Sequence, residues 1–182
     1  MPYKSAGKHL LFIAMLLFTQ LSQADVCVWR DPERTMIKLF PQAEDYKTQI
    51  YKLKPQQIKD IEFLLGEPLD ETEKHEYNIY AINKDGQILG WVMALAGVGE
   101  YGVIETVIGL NPDHSIRAAY LQRVRERKRK ALKSKEFLGQ FEGKKQQDQI
   151  QIITVEGAEK ASSEIHRLIR KMLSYDAVLN TQ

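Results

Sequence analysis

The feature that most limits the possible folds is a series of extended segments in the middle of the chain. Residues 88–96 are almost wholly apolar, so a strand formed by them must be covered on both faces. They follow the turn sequence Asn-Lys-Asp-Gly at residues 83–86, which predicts a β-hairpin. The segments that predict antiparallel strands joined by short turns are residues 77–82, 88–96, 103–110 and 115–121.

Helices have to supply the cover for such a sheet. The last one is predicted by apolar residues at steps of three and four: Ala158, Ala161, Ile165, Leu168, Ile169 and Met172. Upstream, one short helix is expected between Asp31 and Pro41, and a second from Pro55 to Gly66. Residues 46–53 alternate only loosely between apolar and polar side chains, so the pattern does not decide whether they form a strand. The predicted class is α+β: an antiparallel sheet covered by helices, with a long C-terminal helix.

The first 24 residues predict an export signal. Lys4 and Lys8 precede an apolar run at residues 10–18, and residues 22–24, Ser-Gln-Ala, offer the small side chains that a signal peptidase requires. The apolar run is about half of the ~20 residues that span a bilayer, so a permanent anchor is the weaker alternative. We therefore expect a periplasmic mature protein that begins at Asp25 and has no transmembrane segment.

The remaining sequence is typical of a globular protein, with 43% hydrophobic and 27% charged residues. Loss of Lys4 and Lys8 with the signal brings the formal net charge from +2 to zero, so bulk charge gives no reason to expect a nucleic-acid partner. The predicted organisation is a signal peptide at 1–24, an N-terminal helical lead-in at 25–76, the main domain at 77–174 and a C-terminal tail at 175–182. Residues 67–76 are predicted as an acidic linker.

Motifs for standard catalysis are absent from the sequence. It has no nucleophile elbow, P-loop or dinucleotide fingerprint, so no catalytic residue is assigned. The histidines share no metal-ligand spacing, and His114 and His166 are predicted to be solvated. The lone Cys27 is predicted as a half-buried apolar residue, with an intermolecular bridge or thiol chemistry as the alternative.

The densest charge lies at residues 123–130, Arg-Val-Arg-Glu-Arg-Lys-Arg-Lys, followed by Lys133 and Lys135. Such side chains bind phosphates, an anionic membrane surface or an acidic partner protein. The alternative is a solvated helix face. It is favoured because no aromatic residue interleaves with these cations, as in single-stranded nucleic-acid binders.

From residue 77 to residue 172, the order of elements resembles the FMN-binding domain of periplasmic subunits of the Rnf and Nqr respiratory complexes and of NosR-type proteins. The matching pieces are Gly90-Trp91-Val92, residues 97–102, residues 104–113 with Ile116, residues 137–144 and residues 155–158. Residues 39–43 are similar to the segment that precedes this domain. The resemblance implies an exported FMN protein of electron transfer, with a redox protein or a membrane respiratory complex as partner.

The resemblance also implies where the flavin sits. Family members have a Ser/Thr-Gly-Ala-Thr run at the start of the last helix, and its final threonine is esterified to the FMN phosphate. Here that run reads Glu-Gly-Ala-Glu at residues 156–159, and a carboxylate cannot replace the hydroxyl acceptor. The family's Glu-Thr-Pro-Gly-Leu-Gly type loop is replaced by residues 127–132. Any flavin is therefore expected to be noncovalent, and the residues predicted to contact it are Trp91, Tyr101, Gly157, Ala158, Glu159, Ser162 and Ser163.

The groups at this helix start have opposite effects on a bound phosphate. Free backbone amides attract a phosphate by roughly 0.3–1 kcal/mol, whereas Glu156 and Glu159 repel it. A basic segment folded back over the helix start would offset that repulsion. In the alternative arrangement the two carboxylates occupy the helix terminus and pair with the cations, which leaves a flavin-free interaction module that docks an acidic partner. Trp91 and Tyr101 either stack on the flavin or pack in the core.

Overall fold

The structure is a computed structural model, and it describes residues 33–180. The predicted signal peptide, Cys27 and the expected helix start at Asp31 lie outside this range. The helices are α1 (Glu33–Leu39), α2 (Pro55–Leu65), α3 (Arg129–Leu132), α4 (Lys135–Leu138) and α5 (Glu159–Leu179), with 3₁₀ turns at Glu71–Lys74 and Gly139–Phe141. The strands are β1 (Asp45–Lys52), β2 (Glu76–Lys84), β3 (Gln87–Val98), β4 (Val103–Leu110) and β5 (Ile116–Val124).

The strands form one antiparallel sheet in sequence order, β1-β2-β3-β4-β5. Met93 pairs with Ile108 across β3 and β4, and Tyr80 pairs with Val92 across β2 and β3. The predicted β2–β3 hairpin and the antiparallel order of the following strands are confirmed. The segment whose strand character was left open is β1, which pairs with β2 along its whole length, so the sheet extends into the predicted lead-in.

Helix α5 covers one face of this sheet by lying across β3 and β4. The six residues of its predicted apolar stripe, of which Ala158 is the first and Met172 the last, are each only 0–1% exposed. Gly97 leaves space for the Glu164 side chain of α5, because a Cβ atom there would lie 1.9 Å from the Glu164 carboxylate oxygen. The α+β class, the helical cover and the long C-terminal helix are confirmed.

The opposite face receives α1 and the residue that follows it. Phe40 is fully buried and packs with Ile82, Val92 and Val107 of the sheet. Gly90 has a φ of +150°, and a Cβ atom there would lie 2.9 Å from the Phe40 ring. Because Gly90 has no side chain, the Phe40 ring packs directly against the backbone of β3. This contact holds α1 against the sheet.

The acidic linker is held along α5 by ion pairs. The ammonium of Lys171, whose side chain is fully buried, lies 2.7 Å from Glu73, and Arg167 lies 3.0 Å from Glu67. Tyr175 donates to the backbone carbonyl of Glu73 at 2.9 Å. Together these contacts convert a predicted connector into part of the domain.

The end of α5 differs from the prediction of a tail at residues 175–182. The helix continues to Leu179, because Tyr175 stacks on Tyr77 of β2 with ring centroids 4.2 Å apart. Val178 and Leu179 are also buried. Across residues 33–180, no helix combines the length and the hydropathy that a membrane crossing needs.

Candidate functional site

At the start of α5, the side chain of the first helical residue, Glu159, caps the backbone just before the helix. The Glu159 carboxylate accepts a hydrogen bond from the backbone N–H of Gly157 at 2.8 Å. This bond and one from its own amide hold the pKa of Glu159 below the usual value for a glutamate. Gly157 has a φ of +73°, a conformation that favours glycine. The chain's own carboxylate thus occupies the place where an anion would meet the helix amides.

Ser162 and Ser163, which follow one turn later, have different environments. Ser162 is fully buried, and its hydroxyl donates to the Ala158 carbonyl at 2.9 Å and accepts from the Val155 amide at 3.0 Å. Ser162 therefore holds the segment that precedes α5, at Val155, against the helix. Ser163 is exposed.

The basic segment does reach this helix start. A Cβ atom added at Gly157 would lie 3.3 Å from Cε of Lys128, so the lysine stem crosses the turn. Among the residues that the structure describes, no lysine or arginine nitrogen lies within 4.0 Å of the carboxylates of Glu156 or Glu159. Lys128 of the basic segment thus reaches the helix start, and among the described residues the ion pairs of the other alternative are not formed.

A second anion position lies in the β3–β4 loop, residues 99–102. The carboxylate of Glu126, which is 6% exposed, accepts from the amides of Glu100 at 2.8 Å and Tyr101 at 3.1 Å. A Cβ atom at Gly99 would lie 2.1 Å from the same oxygen, so the glycine admits the carboxylate. Sequence reasoning missed Glu126; the available signal was one acid isolated inside a strongly basic run.

The two aromatic candidates lie at opposite ends of β3. Tyr101 is 46% exposed, and the guanidinium carbon of Arg127 lies 4.6 Å from its ring centroid. Trp91 stacks on His114 with centroids 4.6 Å apart. Residues 91 and 98 are about 23 Å apart at the usual rise of a strand. The structure therefore brings Tyr101 to the basic segment and leaves Trp91 at the other end of the sheet.

The two histidines predicted to be solvated make specific contacts. His114 lies 3.0 Å from the buried carboxylate of Asp176, and burial raises the pKa of Asp176 despite that neighbour. His166 is 8% exposed, packs near Phe141 and has its pKa lowered by burial. The prediction of a solvated side chain is wrong for His166, because tertiary packing covers a position that looks polar on the helix. His114, in the turn before β5, keeps 38% of its side chain exposed.

Other features of the described residues lie away from this site. A cleft of about 350 Å³ opens between α1 and β1, beside Met36, Tyr46 and Ile82. Within residues 33–180, no three His, Cys, Asp or Glu side chains form a group able to hold a metal ion.

Comparisons with known proteins add one finding. No family model matches the chain, and no curated protein is similar to it at a significant level. The structure is similar to the crystal structure of Shewanella oneidensis NqrC with a TM-score of 0.51 and 14% sequence identity. The match covers 86% of this chain and 92% of that one. The chain therefore has the fold of NqrC, which is the fold that its resemblance to Nqr subunits predicts.

Proposed function

We propose that this protein is a periplasmic FMN-binding-domain protein of electron transfer that holds its flavin without a covalent bond. The agreement of two findings supports the proposal. The sequence resembles a domain of Nqr subunits over residues 77–172, and the fold is that of NqrC. When bound, the flavin supplies the redox chemistry. The chain's own residues bind and orient it.

The residues at the α5 start fit a phosphate group in part. The amides of Gly157 and Glu159 already donate to a carboxylate, that of Glu159 itself, and Lys128 adds a positive charge beside Gly157, while the Ala158 amide donates to the Val155 carbonyl. Glu159 opposes the phosphate, because its carboxylate already accepts the Gly157 amide. Binding therefore requires that Glu159 release this hydrogen bond.

Covalent attachment is disfavoured by the same residues. Glu159 stands at the acceptor position and has no hydroxyl group. The Ser162 hydroxyl is buried and makes two hydrogen bonds, and Ser163 lies in the next turn of the helix. No hydroxyl group among residues 156–159 can carry the phosphoester.

The proposal is tested by an absorption spectrum of the purified protein before and after denaturation. We expect a yellow protein, or a colourless one that becomes yellow with added FMN, and release of the flavin on unfolding. Colour retained by the denatured chain would contradict noncovalent binding. A protein that takes up no FMN would contradict flavin binding altogether.

The second candidate is a flavin-free interaction module that docks an acidic partner through its basic segment. It is favoured by the two glutamates, Glu126 and Glu159, that already accept the amides at both anion positions. Reversal of Arg127, Lys128, Arg129 and Lys130 to glutamate is then expected to abolish binding to polyglutamate without unfolding the domain. Unchanged binding refutes this candidate.

A further inference from the structure

The basic segment forms an exposed surface whose cations have no carboxylate partner among residues 33–180. We call it the basic surface; its exposed members are Arg125, Arg127, Lys128, Arg129, Lys130, Lys133 and Lys135. Over residues 33–180, none of these side chains lies within 4.0 Å of a carboxylate oxygen. Glu126, the acid inside the segment, is buried and bound to loop amides, so it does not face the cations.

Some opposite charge borders this surface. The exposed acids near it are Glu100, Glu136, Glu156 and Glu159, and the exposed Lys160 adds one further cation. The balance stays positive. The segment is not one helix, because α3 is only four residues long and a separate helix follows it at Lys135–Leu138. The predicted alternative of a single solvated helix face is therefore not the arrangement observed.

Exposed apolar side chains lie near the basic surface in two segments. At the β3–β4 loop Val98 is 55% and Tyr101 46% exposed, and Glu126 holds this loop against the basic surface. In the segment before α5, Ile152 is 45% and Ile153 54% exposed. Gln140, two residues after α4, accepts a hydrogen bond from the Ile153 amide at 2.9 Å, which fixes that segment beside the end of the basic surface.

We infer that the basic surface binds the headgroup region of an anionic lipid bilayer. Lys and Arg near an anionic leaflet are attracted to it, while tyrosine and aliphatic side chains are stabilised at the boundary between headgroups and acyl chains. An acidic protein would neutralise the cations but would leave the nearby isoleucines in water. A bilayer surface accommodates both kinds of side chain. This docking does not depend on the flavin.

The test measures binding of the full chain to vesicles of phosphatidylcholine, with and without 30% phosphatidylglycerol. We expect binding that requires phosphatidylglycerol and weakens as salt is added. The variant Arg129→Gln/Lys130→Gln/Lys133→Gln is expected to bind about 100-fold more weakly, because each cation contributes about fivefold. The control Lys47→Gln/Lys52→Gln/Lys59→Gln makes the same charge change at exposed residues near the opposite edge of the sheet and should bind as the parent does.

A second variant tests the apolar part of the inference. Ile152→Ser/Ile153→Ser is expected to weaken vesicle binding about tenfold and to leave binding to polyglutamate unchanged. Circular dichroism verifies that each variant is folded. Equal losses in the basic and control triples would overturn the inference, and so would vesicle binding that is insensitive to both isoleucines. A protein that takes up no added FMN but still binds the vesicles would refute the flavin proposal alone.

Discussion

The first turns of α5 and its C-terminal half belong to one helix, but they are built differently. In the C-terminal half, the Lys171 ammonium is fully buried on Glu73, and Tyr175 stacks on Tyr77. At the start, Glu159 and Ser163 are exposed, and the Glu159 carboxylate caps only its own chain. The C-terminal half thus has its polar groups paired inside the protein, whereas at the start the exposed carboxylate of Glu159 pairs only with the backbone of its own turn.

This difference indicates how the helix divides stability and binding. Contacts in the C-terminal half cross from α5 to the linker and to β2, so their loss affects the whole domain. The exposed side chains at the start make only local contacts, so their loss changes what the site can hold. Three matched pairs of substitutions and one pH dependence test that division.

The largest effect is expected at the buried ion pair. Lys171→Met leaves the Glu73 carboxylate without its partner, which costs about 3–5 kcal/mol of unfolding free energy for a buried pair. Urea denaturation measures the loss. Lys160→Met, at an exposed lysine in the first turn, is the control and should change stability by about 0.5 kcal/mol or less. Similar losses in both variants would contradict the proposed division.

Two adjacent serines give the next largest contrast. Ser162→Ala removes the acceptor of the part-buried Val155 amide and is expected to cost about 1–3 kcal/mol. Ser163→Ala alters an exposed side chain and should be neutral or slightly stabilising, because alanine favours helix formation. Thermal and urea unfolding measure both. A larger loss for Ser163→Ala would show that Ser162 is not the structural residue of the two.

A smaller effect is expected on flavin affinity. Glu159→Gln removes the charge that opposes a phosphate at the helix start, so FMN should bind on the order of fivefold more tightly. Flavin fluorescence quenching measures the dissociation constant. Glu136→Gln, at an exposed acid of α4, removes the same charge and should leave the affinity unchanged. Weaker FMN binding by Glu159→Gln would mean that the carboxylate helps to hold the flavin.

The smallest effect is a pH dependence at the far end of α5. Burial raises the pKa of Asp176 in the folded state, so this residue makes the folded protein bind more protons than the unfolded chain. The stability of the parent relative to Asp176→Asn should therefore fall as pH rises above the ordinary pKa of an aspartate. Urea denaturation between pH 3.5 and 6.5 gives the slope. A relative stability that rises with pH would contradict the assigned burial effect.

The sequence predicted the parts of this fold that depend on local periodicity. The hairpins follow from apolar runs separated by turn residues such as Asn83 and Gly86, and the buried face of α5 follows from its spacing of three and four. The course of the linker did not follow, because it depends on Lys171 meeting Glu73 from 98 residues away. Local patterns contain no information about such a pair.

The candidate site was predicted less completely. The helix start and the return of the basic segment over it were expected, and Lys128 beside Gly157 agrees with that expectation. Trp91 and Tyr101 were grouped by chemical type, although the length of β3 keeps them apart. The role of Glu126 was missed, because it depends on loop amides that converge only in the folded chain.

The central claim is that the α5 start takes a flavin phosphate without forming a bond to it. Mass spectrometry of the peptide that contains residues 156–163, taken from protein purified with its flavin, tests this most directly. We predict the unmodified peptide mass, together with free FMN in the denatured supernatant. A peptide heavier by one FMN moiety would contradict the claim.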